Sequence, residues 1–563
     1  MRNIKRTLLA LACGVAMCGS AAAYNFNETI DGAWTDNSSI GTNKGVLIDY
    51  ITPANVLFFA FFTYDADGNP IWLATSFVAD NSVETYTSIP VVTYTGGEFD
   101  AAGAPAQQAM GTVDINFACD QITMDFHPAE GTGLNDASFN LVRSLGLDPQ
   151  RASECAVPVE SCPVGTTVDG DNCKLPSSIT GDMFLPYGKN YIIEGEVDVE
   201  EGATLTIDPG VTLVGSENQD VPNFLAVLPG GRIYANGTAD LPITFTGPEP
   251  VVGSWAGLVL AGKSICNVGS ADEPCAFEAV PTITYGGDEP EDSSGALRYV
   301  RILYAGQAVA PDEELNALTL LGVGSGTVID HVQMDHGLDD GVEFFGGTVT
   351  GRYMVCSNMA DDCFDIDQGF AGKLQFLLAY QGENDLFTGD PNGIEADNNK
   401  NNNDLLPRSH PMVSNITLVG SSAATAGEGL RLRRGVGGDF ANLVVTGYND
   451  HCLNLDDAGT FALGSASTQG ELTMNHSFVG ECDAGAFEDK DTDPYLVSSW
   501  YNVGAGNGQG DPMLSVFLPQ AGSPVLSGGQ TLSDPFFVPT TYRGAFSGPT
   551  DNWPAGWTVN LPE

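Results

Sequence analysis

The stretch His336–Gly369, HGLDDGVEFFGGTVTGRYMVCSNMADDCFDIDQG, contains the same short phrase twice. The segment DDGVEF at Asp339–Phe344 recurs in similar form as DDCFDI at Asp361–Ile366. The two segments are separated by a repeat period of about 22 residues. A repeat of that length is typical of one coil of a solenoid, in which each repeat stacks on the one before. Apolar and polar residues alternate within each phrase, which is the two-residue period of a β-strand. The stretch therefore predicts two stacked β-coils.

Three further segments repeat this alternation more loosely. They are GIEAD from Gly393, GLRLR from Gly429 and CLNLD from Cys452. Alternation predicts that one set of side chains faces inward, namely Val342, Phe344, Phe364, Ile366, Ile394, Ala396, Leu430, Leu432, Leu453 and Leu455. Their neighbours are expected to face outward as a ladder of acids interrupted by one rung of arginines, namely Glu343, Asp365, Asp367, Glu395, Asp397, Arg431, Arg433, Asn454 and Asp456. Stacked strands lie about 4.8 Å apart, so these outward groups would be close neighbours.

The beginning of the chain has the pattern of an export signal. Residues 1–23 combine basic residues, an apolar middle and the small-residue end Ala21–Ala23, which predicts cleavage before Tyr24. No later apolar run is long enough to predict a membrane span. We therefore expect an exported protein that acts outside the cell, at the cell surface or in the periplasm.

The remaining chain divides by composition into two domains and a linker. Residues 24–158 predict a small antiparallel β domain, because the aromatic-rich run Val56–Tyr64 and the run Ile71–Leu73 flank a turn of Asp, Gly, Asn and Pro, as in a hairpin. Residues 159–180 are rich in Cys, Pro, Gly and Thr, which predicts a linker closed by a disulfide. Residues 181–563 contain short alternating strands separated by Gly, Asp-Pro and Asn-Gly, which predicts a β-helix with a C-terminal cap.

Several segments carry a resemblance to a known family. Gly202–Leu213 (GATLTIDPGVTL), Gly230–Thr246 (GGRIYANGTADLPITFT) and Gly253–Leu258 (GSWAGL) look like the opening coils of right-handed parallel β-helix proteins of the pectin-lyase-like type. The chain from about residue 180 to 560 resembles a largely uncharacterised family of exported bacterial β-helix proteins, and its N-terminal part resembles a small β module of exported bacterial proteins. The resemblance implies an all-β fold, a right-handed parallel β-helix solenoid preceded by a small antiparallel β domain. It leaves the reaction open.

The cysteine pattern predicts disulfides. The chain has 12 cysteines, of which Cys13 and Cys18 lie inside the expected signal. The others are even in number and belong to an oxidising compartment if the chain is exported. The pairs close in sequence are Cys162/Cys173, Cys266/Cys275, Cys356/Cys363 and Cys452/Cys482, and the fifth would be Cys119/Cys155. Spacing by itself does not fix this connectivity.

The formal net charge is −51, from 72 acidic against 21 basic residues. Such a field repels nucleic acid and anionic membrane surfaces, which excludes both as partners. The acidic surface has two remaining interpretations. It either keeps the protein soluble or collects divalent cations. A polysaccharide or a cell-surface component is the expected partner.

The acidic repeat is the candidate site. Calcium prefers several carboxylate oxygens close together, so one interpretation is a calcium site. Its expected ligands are Asp339, Asp340, Asp361, Asp362, Asp365 and Asp367. The competing interpretation is structural: Arg431 and Arg433 bridge Glu395 and Asp397 on one side and Asp456 on the other, which offsets the repulsion between the acids.

An enzymatic interpretation treats the same ladder as a carbohydrate cleft. Paired carboxylates would act as acid and base in glycoside hydrolysis. Alternatively, Arg431, Arg433 or Lys400 would remove a proton from a uronate that calcium neutralises, as the resemblance to β-helix polysaccharide lyases implies. The residues assigned on this interpretation are Asp361, Asp362, Asp365, Asp367, Arg431 and Arg433. The paired aspartates resemble those of polygalacturonases only superficially, because no NTDG, GHG or RIK segment accompanies them.

Two long irregular insertions, residues 263–293 and 386–412, are expected to project beside the acidic repeat, which marks that flank for partner binding. The fingerprints of serine hydrolases, zincins and nucleotide-binding proteins do not occur in a fitting context. The sequence thus predicts an exported acidic β-helix protein with a structural, adhesive or carbohydrate- and calcium-binding surface role. The alternative is a polysaccharide-degrading enzyme, a lyase or a glycoside hydrolase, on the same fold.

Overall fold

The computed structural model of the protein describes residues 32–36, 45–51, 56–64, 70–79, 85–95, 106–117, 122–143, 161–268, 274–310, 313–382, 390–421 and 427–562. The chain divides into two compact units, Met1–Cys155 and Ala156–Glu563. The expected export signal at residues 1–23 and the pair Cys119/Cys155 lie outside the described residues.

The first unit is an antiparallel barrel of eight strands. They are β1 Gly32–Asp36, β2 Gly45–Ile51, β3 Val56–Tyr64, β4 Pro70–Val78, β5 Thr85–Thr95, β6 Ala106–Phe117, β7 Ile122–Pro128 and β8 Ala137–Arg143. The barrel closes because β1 pairs with both β2 and β8. Side chains alternate between interior and solvent, most regularly in β7, and the inward set forms one hydrophobic core. The predicted hairpin is confirmed, since β3 and β4 pair from Val56↔Val78 to Tyr64↔Pro70.

The second unit contains many short strands. The first of them are β9 Thr167–Asp169, β10 Asn172–Lys174, β11 Ser178–Ile179, β12 Met183–Leu185, β13 Asn190–Ile193, β14 Glu196–Val199, β15 Thr204–Ile207, β16 Thr212–Gly215, β17 Phe224–Val227, β18 Arg232–Asn236, β19 Ile243–Thr246, β20 Gly257–Ala261, β21 Cys275–Ala276, β22 Thr284–Tyr285, β23 Gly295–Leu303 and β24 Ala308–Ala310. The remaining strands are β25 Glu313–Glu314, β26 Leu318–Leu321, β27 Val328–Asp335, β28 Val342–Phe345, β29 Thr350–Ser357, β30 Phe364–Asp367, β31 Lys373–Tyr380, β32 Ile394–Ala396, β33 Met412–Val419, β34 Leu430–Leu432, β35 Gly438–Thr446, β36 His451–Leu455, β37 Leu472–Asn475, β38 Phe478–Val479, β39 Gly485–Phe487, β40 Gly508–Gln509, β41 Leu514–Ser515 and β42 Leu518–Pro519.

Helical structure is sparse in this unit. The described residues of this unit form two short α-helices, α1 Ala458–Phe461 and α2 Val497–Val503, and a 3-10 helix at Pro524–Leu526. Within the parts of the chain that the structure describes, no helix is long and apolar enough to cross a membrane.

Most strands of the second unit belong to two long parallel sheets that wind together as a β-helix. The first, called the groove sheet below, has the order β11-β14-β17-β20-β26-β28-β30-β32-β34-β36-β39. The second, called the strap sheet, extends from β10 to β40 and includes the long strands β23, β27, β29, β31, β33 and β35. The predicted fold class, a parallel β-helix together with a small antiparallel β domain, is confirmed.

The repeat seen in the sequence is one coil of this helix. Strand β28 pairs with β30 in the register Val342↔Phe364 and Glu343↔Asp365. The three looser echoes continue the stack as β32, β34 and β36. All residues predicted to face inward are buried in one hydrophobic core. Burial of each large apolar side chain contributes about 1.5–3 kcal/mol, and a one-residue slip would expose the whole row, so this row fixes the register.

Four disulfides, Cys162–Cys173, Cys266–Cys275, Cys356–Cys363 and Cys452–Cys482, confirm the pairs expected from their closeness in sequence. The third joins β29 of the strap sheet to the residue before β30 of the groove sheet. It closes the turn that carries Asp361 and Asp362. Packing there is tight, because a Cβ on Gly341 would lie 2.8 Å from Cys356 Sγ.

The C-terminal segment, residues 512–562 and called the strap below, covers the outer face of the strap sheet. Side-chain amides on separate coils each bind one strap residue through both its N–H and its carbonyl oxygen. The pairs are Gln333 with Val559, Gln375 with Val538 and Asn442 with Gln530, at 2.7–3.0 Å. Phe546 and Trp557 of the strap pack with Val355 and Leu378 of the sheet. The segment expected as a C-terminal cap therefore lies along the side of the coils.

Candidate functional site

A groove with a volume of about 470 Å³ crosses the outer face of the groove sheet. Side chains at one register position of successive strands form its floor: Glu343 in β28, Asp365 in β30, Glu395 in β32 and Arg431 in β34. The turns before these strands add further polar side chains, namely Asp339, Asp340, Asp361, Asp362, Asp390 and Asn392. Ten carboxylates and two arginines line the groove, which is therefore strongly negative.

The first predicted insertion, residues 263–293, is described at 263–268 and 274–293, and its residues Phe277, Glu278 and Ala279 line one end of the groove. Its short strands β21 and β22 pair with each other, and Phe277 packs edge-on against Phe345 of β28, with 5.6 Å between ring centroids. Tyr285 donates a hydrogen bond to Gln368 Oε1 at 2.6 Å. The insertion therefore packs on the sheet, and the expectation that it projects is wrong. Apolar outward side chains of the earlier coils provide the surface that it covers.

The second predicted insertion, residues 386–412, needs a similar correction. Ile394–Ala396 within it is strand β32 of the groove sheet, because its apolar–polar alternation continues the stack. After this strand the irregular part is folded around Asn398, whose Nδ2 donates to the carbonyl oxygens of Asn403 and Leu405 at 2.9 and 3.0 Å. Residues 390–411 thus comprise a coil of the β-helix followed by an ordered loop.

Five of the six aspartates predicted as calcium ligands meet in this groove. Their oxygens, together with those of two glutamates, lie within 4.8 Å of one another in three sets. The sets are Asp339 with Asp340 and Asp361, Asp340 with Glu343 and Asp365, and Asp362 with Asp365 and Glu395. Asp340 and Asp365 each belong to two sets and so link the sets along the groove. The sixth predicted ligand, Asp367, does not line the groove, and its Oδ1 accepts the Gln368 N–H at 2.6 Å.

Hydrogen bonds from coil to coil position the turns beside the groove. Asp340 Oδ1 accepts the N–H of Asp362, and Asp362 Oδ1 accepts the N–H of Asn392, each at 2.9 Å. Asn392 Oδ1 in turn accepts the N–H of Glu428 at 2.7 Å. Each side chain therefore holds the backbone of the following coil. One oxygen of each aspartate makes this bond, which leaves the second oxygen for a ligand.

Part of the acidic ladder is buried, although alternation predicted that the ladder faces solvent. The exposed fraction is 8% for Glu395 and 2% for Asp397 in that ladder, and 6% for Asp340 and 5% for Asp362 in the turns beside it. Among the described lining residues, two buried oxygens accept no hydrogen bond, Asp365 Oδ1 and Asn316 Oδ1. A buried acceptor without a partner costs about 1–3 kcal/mol. A bound cation would offset that cost.

Burial raises the pKa values of these carboxyl groups. Loss of hydration is the main reason that the pKa values of Asp340, Asp362 and Asp365 lie well above the usual range, and repulsion from neighbouring carboxylates raises them further. Burial also raises the pKa of Asp361 to about 6 and that of Glu395 to about 7. Near neutral pH the groove therefore retains protons, which a divalent cation can displace.

Arginines neutralise one end of the groove. Arg433 lies 2.9 Å from Asp397 Oδ1 and also contacts Glu395, and Arg431 lies 3.8 Å from both Glu395 and Asp456. These are the bridges that the structural interpretation predicted. Elsewhere in the groove, over the part of the chain that the structure describes, no ion pair with Lys or Arg reaches the carboxylates of Asp340, Glu343, Asp362 and Asp365. The structural interpretation accounts for one end only.

Sequence reasoning placed Glu343 and Glu395 on the ladder without assigning them as ligands. The signal was present, because both residues occupy the register position of Asp365 in the coils on either side. Asn316, which donates to Glu343 Oε2 at 2.8 Å, was missed altogether. It lies before β26, in a segment that contains Glu313 and Glu314 but lacks the repeated Asp-Asp phrase, so the repeat did not single it out.

The site is chemically suited to hard cations, because carboxylate and amide oxygens are the ligands that Ca²⁺ prefers. Comparison with known families gives a match to the model described as pectate-lyase like beta helix domain, over residues 177–558. No curated protein and no solved structure matches the chain. The matched region contains every coil of the groove sheet that contributes to the groove. The chain therefore belongs to the pectate-lyase-like β-helix family.

Proposed function

We propose that this chain is an exported carbohydrate-binding surface protein whose acidic groove holds calcium. The observation that supports the proposal best is the linkage of three sets of carboxylate oxygens through Asp340 and Asp365. Calcium takes about 6–8 oxygen ligands at roughly 2.4 Å. Side-chain shifts of about an ångström would bring the oxygens of one set to that distance, and water or a ligand would complete the shell.

The carbohydrate part of the proposal has separate support. The pectate-lyase-like β-helix family suggests a carbohydrate-related role. Sugar hydroxyls and uronate carboxylates are oxygen ligands that can complete the coordination of a calcium ion. A bare groove with ten carboxylates would repel an anionic polysaccharide, whereas a calcium-filled groove would attract it. Calcium would therefore act as the bridge between protein and glycan.

Export is supported by the cysteines. Four disulfides in the second unit are typical of a protein that folds in an oxidising compartment. The N-terminal pattern at residues 1–23 supplies the route. The protein would then meet its polysaccharide at the cell surface or outside the cell.

Binding to immobilised polysaccharides tests this function. The full chain, depleted of metal with a chelator, is passed over neutral and uronic polysaccharides with and without calcium. We expect retention only with calcium, and its loss in Asp340→Asn and Asp365→Asn. Asp220→Asn removes an exposed acid that does not line the groove and should leave retention unchanged. Equal retention in chelator, or in both groove variants, would refute the proposal.

A second candidate function is cleavage of the polysaccharide. The oxygens of Asp362, Asp365 and Glu395 lie within 4.8 Å of one another, near the carboxyl separation of about 5–5.5 Å in retaining glycosidases. Their raised pKa values suit a general acid. Arg431 and Arg433 are already paired with acids, which argues against either arginine as the base of a lyase.

An activity screen separates cleavage from binding. New reducing ends indicate hydrolysis, and ultraviolet absorbance of unsaturated sugars indicates elimination. If the wild-type protein produces either signal and Asp362→Ala or Arg431→Ala abolishes it, the protein is an enzyme. Binding without either product supports the surface role.

A further inference from the structure

A second cluster of metal-binding side chains lies on the groove sheet, beyond the arginines. Glu428, Asp450 and His451 each offer one ligand atom, and these atoms lie within 4.8 Å of one another. Glu428 precedes β34, whereas His451 begins β36, so two successive coils supply the cluster. None of the three residues lines the acidic groove. The cluster also differs from the groove in chemistry, because it includes an imidazole nitrogen.

A buried polar atom without a hydrogen-bond partner lies beside this cluster. Asn454 is only 3% exposed; its Nδ2 donates to Glu428 Oε2 at 3.1 Å, while its Oδ1 is buried and accepts no hydrogen bond. His451 Nδ1 lies 2.6 Å from Asp450 Oδ1, so these two ligand atoms already face each other. A buried oxygen without a partner is rare in folded proteins. Beside three metal-binding side chains, it indicates a ligand that comes from outside the chain.

The neighbouring arginine does not occupy the cluster. Arg431 Nε lies 3.6 Å from Glu428 Oε2 and makes no hydrogen bond there. The guanidinium instead donates to Asp390 Oδ2 at 2.9 Å, on the side of the acidic groove. Glu428 can therefore bind a cation while Arg431 keeps its hydrogen bond. Asn454 would then hold the Glu428 carboxylate in place, as partners of metal ligands commonly do.

We propose that Glu428, Asp450 and His451 form a second metal site that binds a divalent cation of the Zn²⁺ class. Imidazole nitrogen suits zinc and neighbouring transition metals, whereas calcium prefers oxygen alone. Three protein ligands leave one coordination position of a zinc ion open to water or a ligand hydroxyl. The site stands independently of the calcium groove, because the two share no residue and the groove binds through oxygen only.

Titration with zinc and cobalt tests the site. The full chain is depleted of metal and saturated with calcium, and zinc binding is then measured by calorimetry. Cobalt(II) in the same site gives a visible absorption band that depends on its ligands. We expect the wild-type chain to bind one zinc ion through His451. In His451→Gln, zinc binding should be at least about tenfold weaker and the cobalt band should be lost.

Three controls make the result decisive. His410→Gln removes a histidine in the loop before β33 and should leave zinc affinity and the cobalt band unchanged. Asp340→Asn should lose the calcium response and keep zinc binding, which distinguishes this site from the groove. Glu428→Gln is isosteric and serves the same purpose as His451→Gln if that variant does not fold. Zinc affinity that is unchanged in the folded variants, or that calcium abolishes, would overturn the proposal.

Discussion

The two outer faces of the β-helix bury polar groups in opposite ways. On the strap sheet, Gln375 is buried and binds both the N–H and the carbonyl oxygen of Val538, at 2.8 and 2.9 Å. On the groove sheet, Asp365 Oδ1 is buried and has no hydrogen-bond partner. The chain supplies the partners itself on one face. On the other it brings like charges together.

This difference indicates where a ligand is needed. Burying a polar group costs free energy unless a hydrogen bond or a counter-charge replaces water. The strap provides that replacement for the strap sheet, and Arg431 and Arg433 provide it for one end of the groove. The remaining groove acids require protons or a cation. A buried polar face without partners in the same chain is therefore the better guide to function.

The largest expected difference between the faces is their response to calcium. At free calcium about 1,000 times the dissociation constant, the free energy of unfolding should rise by about 4 kcal/mol, because only the folded groove assembles the ligands. Chemical denaturation of the metal-depleted chain, with and without calcium, measures this. Magnesium should have a smaller effect, since it demands more regular geometry. An unchanged unfolding midpoint would remove the calcium assignment.

The strap face should be sensitive to mutation and insensitive to calcium. Gln375→Leu leaves the Val538 N–H and carbonyl without their partner, which should lower the free energy of unfolding by about 2–3 kcal/mol. The loss should be the same with and without calcium in denaturation experiments. Gln509→Leu changes an exposed glutamine and should have an effect within about 0.5 kcal/mol. A calcium-dependent loss in Gln375→Leu would contradict the separation of the two faces.

Changing pH should affect the groove in the opposite sense to calcium. Burial raises the pKa of Asp361 to about 6 and that of Glu395 to about 7, above their unfolded values. Between about pH 4 and pH 7 the folded chain therefore binds more protons than the unfolded chain, and stability falls as pH rises, by on the order of 1–2 kcal/mol. Thermal unfolding of the metal-free protein across this range measures the fall.

Calcium provides the control for the pH experiment. General repulsion among 72 acidic residues also grows with pH and acts with or without metal, so only the calcium-dependent part reports on the groove. We expect calcium to flatten the pH dependence above about pH 6, because it replaces the displaced protons. Parallel curves in calcium and in chelator would mean that the groove acids do not contribute.

The smallest expected effect is a gain in stability. Asp365→Asn removes one acid from two of the linked sets and so relieves repulsion among their carboxyl groups. The free energy of unfolding of the metal-free protein should therefore rise by about 1 kcal/mol near neutral pH. The same substitution should abolish the stabilisation by calcium. Asp220→Asn, an exposed acid, serves as the matched control in both conditions. Loss of stability without metal would show that Asp365 is not repelled by its neighbours.

Much of the fold could be predicted from local pattern. Alternation identified the inward row from Val342 to Leu455, and closeness in sequence identified four disulfides. The same pattern misjudged exposure, because it says which side of a strand a residue faces and not what covers that side. Glu395 and Asp397 of the predicted outward ladder are only 8% and 2% exposed, and Arg433 lies against both. No sequence pattern in the strap predicted that it would pack along the strap sheet.

The sequence by itself determined the β-coils, the acidic repeat and the pairing of nearby cysteines, because each depends on residues close along the chain. The tertiary structure decided which acids meet, that Asp367 lies outside the groove, and that Glu428 approaches His451 from another coil. These contacts depend on coil lengths and turn paths, which no short pattern encodes. Stacking of the coils brings side chains from successive repeats into contact. Burial of a polar or charged group costs free energy, and the groups that lack a partner in the chain are therefore the ones that need a ligand.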